Sequence, residues 1–213
     1  MTALKPYRVE FRIRAGRDSV RAAVSELPVL RQWFGWDFDG LEAEIRQLFV
    51  DQVKRPAPET LRWADGSSLE ITGDDDRSVV RVTRKGPKPD YPDAFDAIEE
   101  AWKAFLVQLR HLLEKRPEGR RRTLYLTGKS TGRQVFDLVG GKWQRVGTRV
   151  AAAVVEDALV VVSGNEPLDG PEPAAVQVVV STYGLDDDAF ADRRGDWAKR
   201  WAAVADGAVI PAD

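Results

Sequence analysis

The chain contains no cysteine. That excludes disulfides, thiolate nucleophiles and cysteine-ligated metal sites, and it fits a reducing compartment. Histidine is nearly absent too: with His111 alone, neither a multi-histidine metal site nor a serine–histidine triad in each half can be built. Net charge is small, since 32 Lys and Arg stand against 34 Asp and Glu. No global field therefore draws in nucleic acid or an anionic membrane. No apolar run approaches the roughly 18 residues of a membrane-spanning helix, and residues 1–6 lack the apolar core of a signal peptide. A cytoplasmic protein is expected. What is present, 43% hydrophobic and 31% charged residues in a chain of 213, describes an ordinary globular protein with one large or two smaller cores.

The most legible stretch is residues 93–116. Phe95, Ile98, Trp102, Phe105, Leu109 and Leu112 recur at steps of three and four, which places all six on one face of a helix. Charged residues fall between them, with Glu99 and Lys103 as a favourable i,i+4 pair. Pro92 and Asp93 mark a start and Pro117 a stop, and Lys115 and Arg116 complement the helix dipole. A long helix with an aromatic stripe must lie against a wide apolar surface.

The preceding sequence supplies that surface. Tyr7, Val9, Phe11 and Ile13 alternate with Arg8, Glu10, Arg12 and Arg14, a strand with one buried face. After Gly16, Val20, Ala23, Val24 and Leu27 suit a short helix interrupted by Pro28, and Leu30, Trp33 and Phe34 a second. Residues 39–53 read as helix in their first part and as helix or strand at their end. Residues 60–64, 68–72 and 78–84 read as three strands, joined at Asp65-Gly66 and Gly73-Asp74-Asp75-Asp76. The pattern then recurs. Residues 122–127 form a strand, Gly128–Gly132 a turn and residues 133–139 a short helix. Residues 150–155, 159–163 and 176–182 follow as strands, and residues 186–205 as a final helix interrupted by Gly195. Two related modules in tandem are expected: residues 1–116, a linker at 117–122, and a shortened second copy at 123–213.

A family resemblance extends this reading. Residues 7–13, then Asp18-Ser19-Val20-Arg21-Ala22-Ala23-Val24 and Leu30-Arg31-Gln32-Trp33-Phe34, resemble the opening of START-like (SRPBCC) helix-grip domains. Trp102-Lys103-Ala104-Phe105-Leu106-Val107-Gln108-Leu109 is similar to the C-terminal helix of homologues of the activator of the ninety-kilodalton heat-shock chaperone's ATPase. The resemblance implies an α+β helix-grip fold, an antiparallel sheet wrapped around a long C-terminal helix, with the second module a weaker echo. It also implies a cavity between sheet and helix for lipids, hormones or polyketides; some relatives are cyclases or hydroxylase subunits. None of their catalytic signatures maps onto residues here, and fold alone does not establish function.

The expected ligand-binding residues are Trp36, Trp63, Leu69, Ile71, Phe95, Ile98, Trp102, Phe105 and Leu109, with a solid core as the competing reading. Trp36 and Asp37 either gate such a pocket or, the favoured view, form a helix end capped by Gly35. Gly128-Lys129-Ser130 lacks the first glycine of a phosphate loop, Thr123 standing in its place. The basic residues 115–122 have no interleaved aromatics and read as a solvated linker. His111 is expected to face solvent. Asp74–Asp76 fit a turn and Asp186–Asp188 a helix start. No catalytic residue, metal or cofactor is indicated. The resulting expectation is non-enzymatic binding of a hydrophobic small molecule or lipid, without nucleic acid or membrane insertion. The alternatives are a chaperone-regulating protein-interaction module with a vestigial cavity and a cyclase- or hydrolase-type enzyme.

Overall fold

The structure is a computed structural model that describes residues 5–86 and 94–211. The chain divides into two compact units, Met1–Phe34 with Gly40–Arg116, and Gly35–Asp39 with Pro117–Asp213.

The first unit runs β1 (Tyr7–Ile13), α1 (Arg17–Ala23), α2 (Leu27–Leu30), α3 (Leu41–Arg46), a π-helical turn (Gln47–Asp51), β2 (Lys54–Ala57), β3 (Thr60–Arg62), β4 (Ser67–Gly73), β5 (Ser78–Arg84) and α4 (Ala97–Lys115). Its antiparallel sheet has the order β1-β5-β4-β3-β2. The alternation in β1 sends Tyr7, Val9, Phe11 and Ile13 inward, and register aligns them in cross-strand rows. Val9, Val82, Leu69 and Leu61 form one such row, and Phe11, Val80 and Ile71 the next. Each fully buried aliphatic side chain of this kind stabilises the fold by about 1.5–3 kcal/mol. The strand β2 has no such pattern, because all four residues are exposed and one is Pro56; it forms an edge that alternation does not reveal. Pro28 does not break α1 but sits in the first turn of α2, where its missing N–H is harmless.

Helix α4 begins later than the spacing suggests. Asp96 caps it, its side chain accepting from the N–H groups of Ile98 and Glu99; the expected start at Asp93 lies outside the described residues. Arg116 closes it in the left-handed region, φ 49°. The helix is buried on more than its aromatic stripe. Trp102, Leu106 and Leu109 are buried, and so are Glu100, Ala104, Val107, Gln108 and His111 around the other side. His111 is thus 9% exposed rather than solvent-facing. A stripe argument marks the strongest apolar face and says nothing of a second face made from small and polar residues.

The second unit runs β6 (Arg121–Ser130), α5 (Gly132–Val139), β7 (Gln144–Arg145), β8 (Val150–Val155), β9 (Ala158–Gly164), β10 (Ala174–Tyr183), α6 (Asp187–Ala202) and β11 (Asp206–Val209). Its sheet order is β11-β6-β10-β9-β8-β7. Apart from the added β11, this repeats the order of the first sheet. Gly128 to Ser130 continue β6 instead of turning, and Thr131 caps α5 in a reciprocal box with Gln134. Phe190, Trp197 and Trp201 of α6 pack with Leu124, Leu126, Val160, Val178 and Val180 into one core. The chain before β6 is pinned by glycine: Gly119 has φ 85°, and a Cβ there would lie 2.5 Å from the Cα of Gly184.

Both units are helix-grip in form, an antiparallel sheet with a long helix at its C-terminal end. Among the described residues no helix is long and apolar enough to cross a membrane.

Candidate ligand-binding site

Six rings meet inside the first unit. Trp33 and Phe34 follow α2, Phe49 comes from the π-helical turn, Trp63 follows β3, and Trp102 and Phe105 lie on α4. Five of them form a closed circuit by ring centroids: Phe34–Phe49 5.0 Å, Phe49–Trp63 6.3 Å, Trp63–Trp102 5.6 Å, Trp102–Phe105 6.0 Å and Phe105–Phe34 4.5 Å. Most are edge-to-face, the geometry that aromatic quadrupoles favour. Trp33 joins edge-on to Phe34 and Phe49. The indole N–H of Trp33 donates to Ala23 O and that of Trp63 to Leu48 O, so both rings are held in place.

This arrangement sorts the residues expected to line a cavity. Leu69, Ile71 and Leu109 are buried core. Trp63, Trp102 and Phe105 belong to the aromatic circuit, with Trp63 and Phe105 half-buried. Ile98 lies one turn before Trp102 on the same stripe, yet it is 46% exposed, and Phe95 is 48% exposed. The stripe therefore emerges into solvent at the N-terminal turn of α4. Trp36 belongs to the second unit, where it stacks on Tyr125 at 4.2 Å with an interplanar angle of 5°. Asp37 is committed there as well: its N–H donates to the Thr123 hydroxyl and its carboxylate accepts from the Thr123 N–H.

A polar end borders the exposed turn. Tyr7, Arg84 and Ser67 share one cross-strand row at the edge of the apolar face. Arg84 is 2% exposed, and a guanidinium so buried must be fully engaged. It donates from Nε and Nη2 to Lys5 O, at 2.9 and 2.7 Å, and pairs with the Asp96 carboxylate that caps α4. It also lies 4.6 Å from the centre of the Tyr7 ring. Lys5 ties the same corner together, donating to Ala94 O and pairing with Glu99 at 2.9 Å. The Tyr7 hydroxyl is different: it is buried, and among the described residues none lies at hydrogen-bonding geometry to it, although the Ser67 hydroxyl is near enough to act on it. The nearby Ser67 hydroxyl donates to Asp65 instead. Burial foremost pushes the Tyr7 phenol up to about 12, with Arg84 and Ser67 opposing and Asp65 and Asp96 reinforcing. Tyr7 is thus a neutral phenol, able to donate or accept.

The sequence reading missed this corner. Arg84 was the available signal, because it occupies an inward position in the alternation of Ser78, Val80, Val82 and Arg84. A charge on the buried side of a strand asks for a partner. The basic stretch behaves differently from a solvated linker at its end: Arg121 is 4% exposed, begins β6, and donates to Gly35 O and the Ser181 hydroxyl. Gly128 lies in a strand, which removes any phosphate loop there. Asp74 accepts from the N–H groups of Asp76 and Arg77 in a turn, and Asp186 caps α6. Among the described residues no group of His, Asp or Glu is placed to hold a metal ion.

No protein-family model matches the chain, and no curated protein matches it. Two solved structures resemble it. DynU16, a protein of the dynemicin biosynthetic locus, is 18% identical, with 94% of this chain and 96% of that one covered and a TM-score of 0.39. BexL, a di-domain ARO/CYC from the BE-7585A biosynthetic pathway, is 12% identical, with 85% and 86% covered and a TM-score of 0.36.

Proposed function

We propose that the first unit binds an apolar small molecule, without catalysing its conversion, at the N-terminal turn of α4. The observation that carries this reading is the emergence of the α4 stripe: Ile98 and Phe95 stand exposed immediately before Trp102, which packs on Trp63. Apolar surface that continues from solvent into an aromatic cluster, with a few polar groups at its border, is the usual composition of a small-molecule site. The aromatic circuit is then the floor of the site and not empty space. A ligand lies against Trp63, Trp102 and Ile98 and reaches the polar corner of Tyr7 and Arg84.

The test is titration of the full chain with a naphthalene sulfonate probe, read by probe fluorescence, followed by displacement with an uncharged naphthalene. Saturable binding that is displaced, together with a raised melting temperature, supports the reading through linkage. Ile98→Asp places a charge at the mouth and is expected to abolish binding while leaving the fold intact. Probe binding that Ile98→Asp does not alter locates the apolar surface elsewhere. Absence of any binding to the folded protein leaves the interaction-module reading in its place.

A further inference from the structure

Asp18, Arg21, Ala22 and Ser25 stand at i, i+3, i+4 and i+7, which puts them on one face of α1 and the turn that follows it. Across from them are Arg55 of β2 and Pro58 just beyond it, and together with Glu26 they line an open groove of about 290 Å³. Its charges are arranged unequally. Arg21 is paired with Asp18 at 3.2 Å, an exposed contact. Arg55 is held by neutral oxygens: Nη1 donates to the Ser25 hydroxyl at 3.2 Å and Nη2 to Phe49 O at 3.0 Å. Those two bonds fix the guanidinium and leave three of its five N–H groups to donate. The Ser25 oxygen is the acceptor in its bond, so its own O–H is also left to donate. Among the described residues no carboxylate pairs with Arg55 and no cation pairs with Glu26, which is exposed and makes no side-chain cap for α2. One positive and one negative group thus line the same groove without meeting each other.

We infer that this groove binds a small zwitterion of the amino-acid class, its carboxylate on Arg55 and the Ser25 hydroxyl and its ammonium on Glu26. A planar carboxylate matches the forked guanidinium, and a pre-oriented fork loses little freedom on binding. A simple anion gains the same contact but faces the unpaired Glu26 carboxylate, and a phosphate with two charges faces Asp18 as well. A simple cation meets Arg55 in turn. Only a molecule carrying both charges answers both groups. Ala22 and Pro58 supply short apolar surface for the carbon chain between them. None of the groove residues belongs to the proposed apolar site, so the two readings stand or fall separately.

The test is equilibrium dialysis of the full chain against labelled glycine, 4-aminobutyrate and 5-aminopentanoate, which bracket the span between the two charges, with butyrate and butylamine as single-charge controls. The best of the three zwitterions is expected to bind about tenfold more tightly than either control. Raising the salt to about 0.5 M should remove most of that advantage, because the groove is open to solvent. Glu26→Gln is expected to bring the zwitterion down to the level of butyrate, and Arg55→Gln to that of butylamine. Arg55→Gln also frees Phe49 O; should it unfold the chain, Glu26→Gln, made at an exposed position, still decides between a zwitterion and an anion. Butyrate binding as tightly as the best zwitterion overturns the inference. So does zwitterion binding that Glu26→Gln leaves unchanged, or no binding of any of the three. In each case the naphthalene sulfonate titration is read separately, and its outcome alone bears on the apolar site.

Discussion

Trp102 and Ile98 occupy one stripe of α4, and helical spacing gives them the same weight. The structure separates them. Trp102 is 8% exposed and touches Trp63 and Phe105, with centroids at 5.6 and 6.0 Å. Truncation to alanine removes the ring from two aromatic contacts and opens a void between helix and sheet that fixed neighbours cannot refill. Such a change costs about 3–5 kcal/mol. Ile98→Ala removes three carbon groups, worth about 0.8 kcal/mol each when fully buried. At 46% exposure roughly half of that is at stake, so the expected loss is about 1 kcal/mol. Urea unfolding of both variants beside the parent, followed by far-ultraviolet circular dichroism, measures the difference through the midpoint at constant slope. A much larger shift for Trp102→Ala is expected. Equal shifts would show that the helix is rotated from the orientation described, and both the aromatic floor and the exposed mouth would be lost with it.

Three further outcomes are expected. Tyr7 has its phenol raised from 10.0 to about 12, so the folded state holds that proton more tightly; its stabilisation is full below pH 10 and is lost as pH rises toward 12, by about 3 kcal/mol, and Tyr7→Phe should remove that part of the alkaline destabilisation in urea midpoints measured from pH 9 to 12. Asp37→Ala leaves the N–H of Thr123 without its acceptor, an expected cost of about 1–3 kcal/mol, and hydrogen exchange should speed up in β6 and not in β1. Gly119→Ala forces a Cβ to within 2.5 Å of the Gly184 Cα at φ 85° and is expected to lower the melting temperature more than Gly195→Ala, where a Cβ meets nothing within 4 Å.

Much of the architecture was legible because it is written in periodicities. The strand Tyr7–Ile13 was bounded to the residue, since every second side chain is buried. The three sheet-forming runs of the second half were located, and so was the long helix, because their patterns are unbroken over many residues. What was not legible has a common cause. The strands Lys54–Ala57, Gln144–Arg145 and Asp206–Val209 are edge or short strands whose residues are all exposed. Their sheet pairing is through the backbone, and backbone pairing leaves no mark on side-chain pattern. His111 and Gln108 escaped for the opposite reason, being polar residues on a buried face. The partnership of Arg84 with Asp96 and Tyr7 needs three-dimensional register, which joins residues 84, 96 and 7 through the β1–β5 ladder and the helix cap. No spacing rule along the chain brings those positions together.

The repeated sheet order raises the question of which copy carries a site, and the two long helices answer it differently. In the second unit Phe190, near the start of α6, is already 4% exposed, and Trp197 and Trp201 that follow are 5% and 0% exposed. Arg122 lies over the Phe190 ring at 4.0 Å, and the Trp201 indole N–H donates to Thr127 O. Its stripe is closed from the first turn, although the indole N–H of Trp143 elsewhere in that unit is buried without a partner among the described residues. In the first unit the equivalent turn of α4 leaves Ile98 in solvent, and the row beside it contains a buried hydroxyl with no hydrogen-bond geometry to any described residue. A fold under selection for stability alone gains by closing such a turn, as the second unit does, and by satisfying such a hydroxyl. An unsatisfied buried group beside exposed apolar surface is a cost that a bound molecule can offset. The exposed first turn of α4 therefore supports placing the proposed site in the first unit rather than the second.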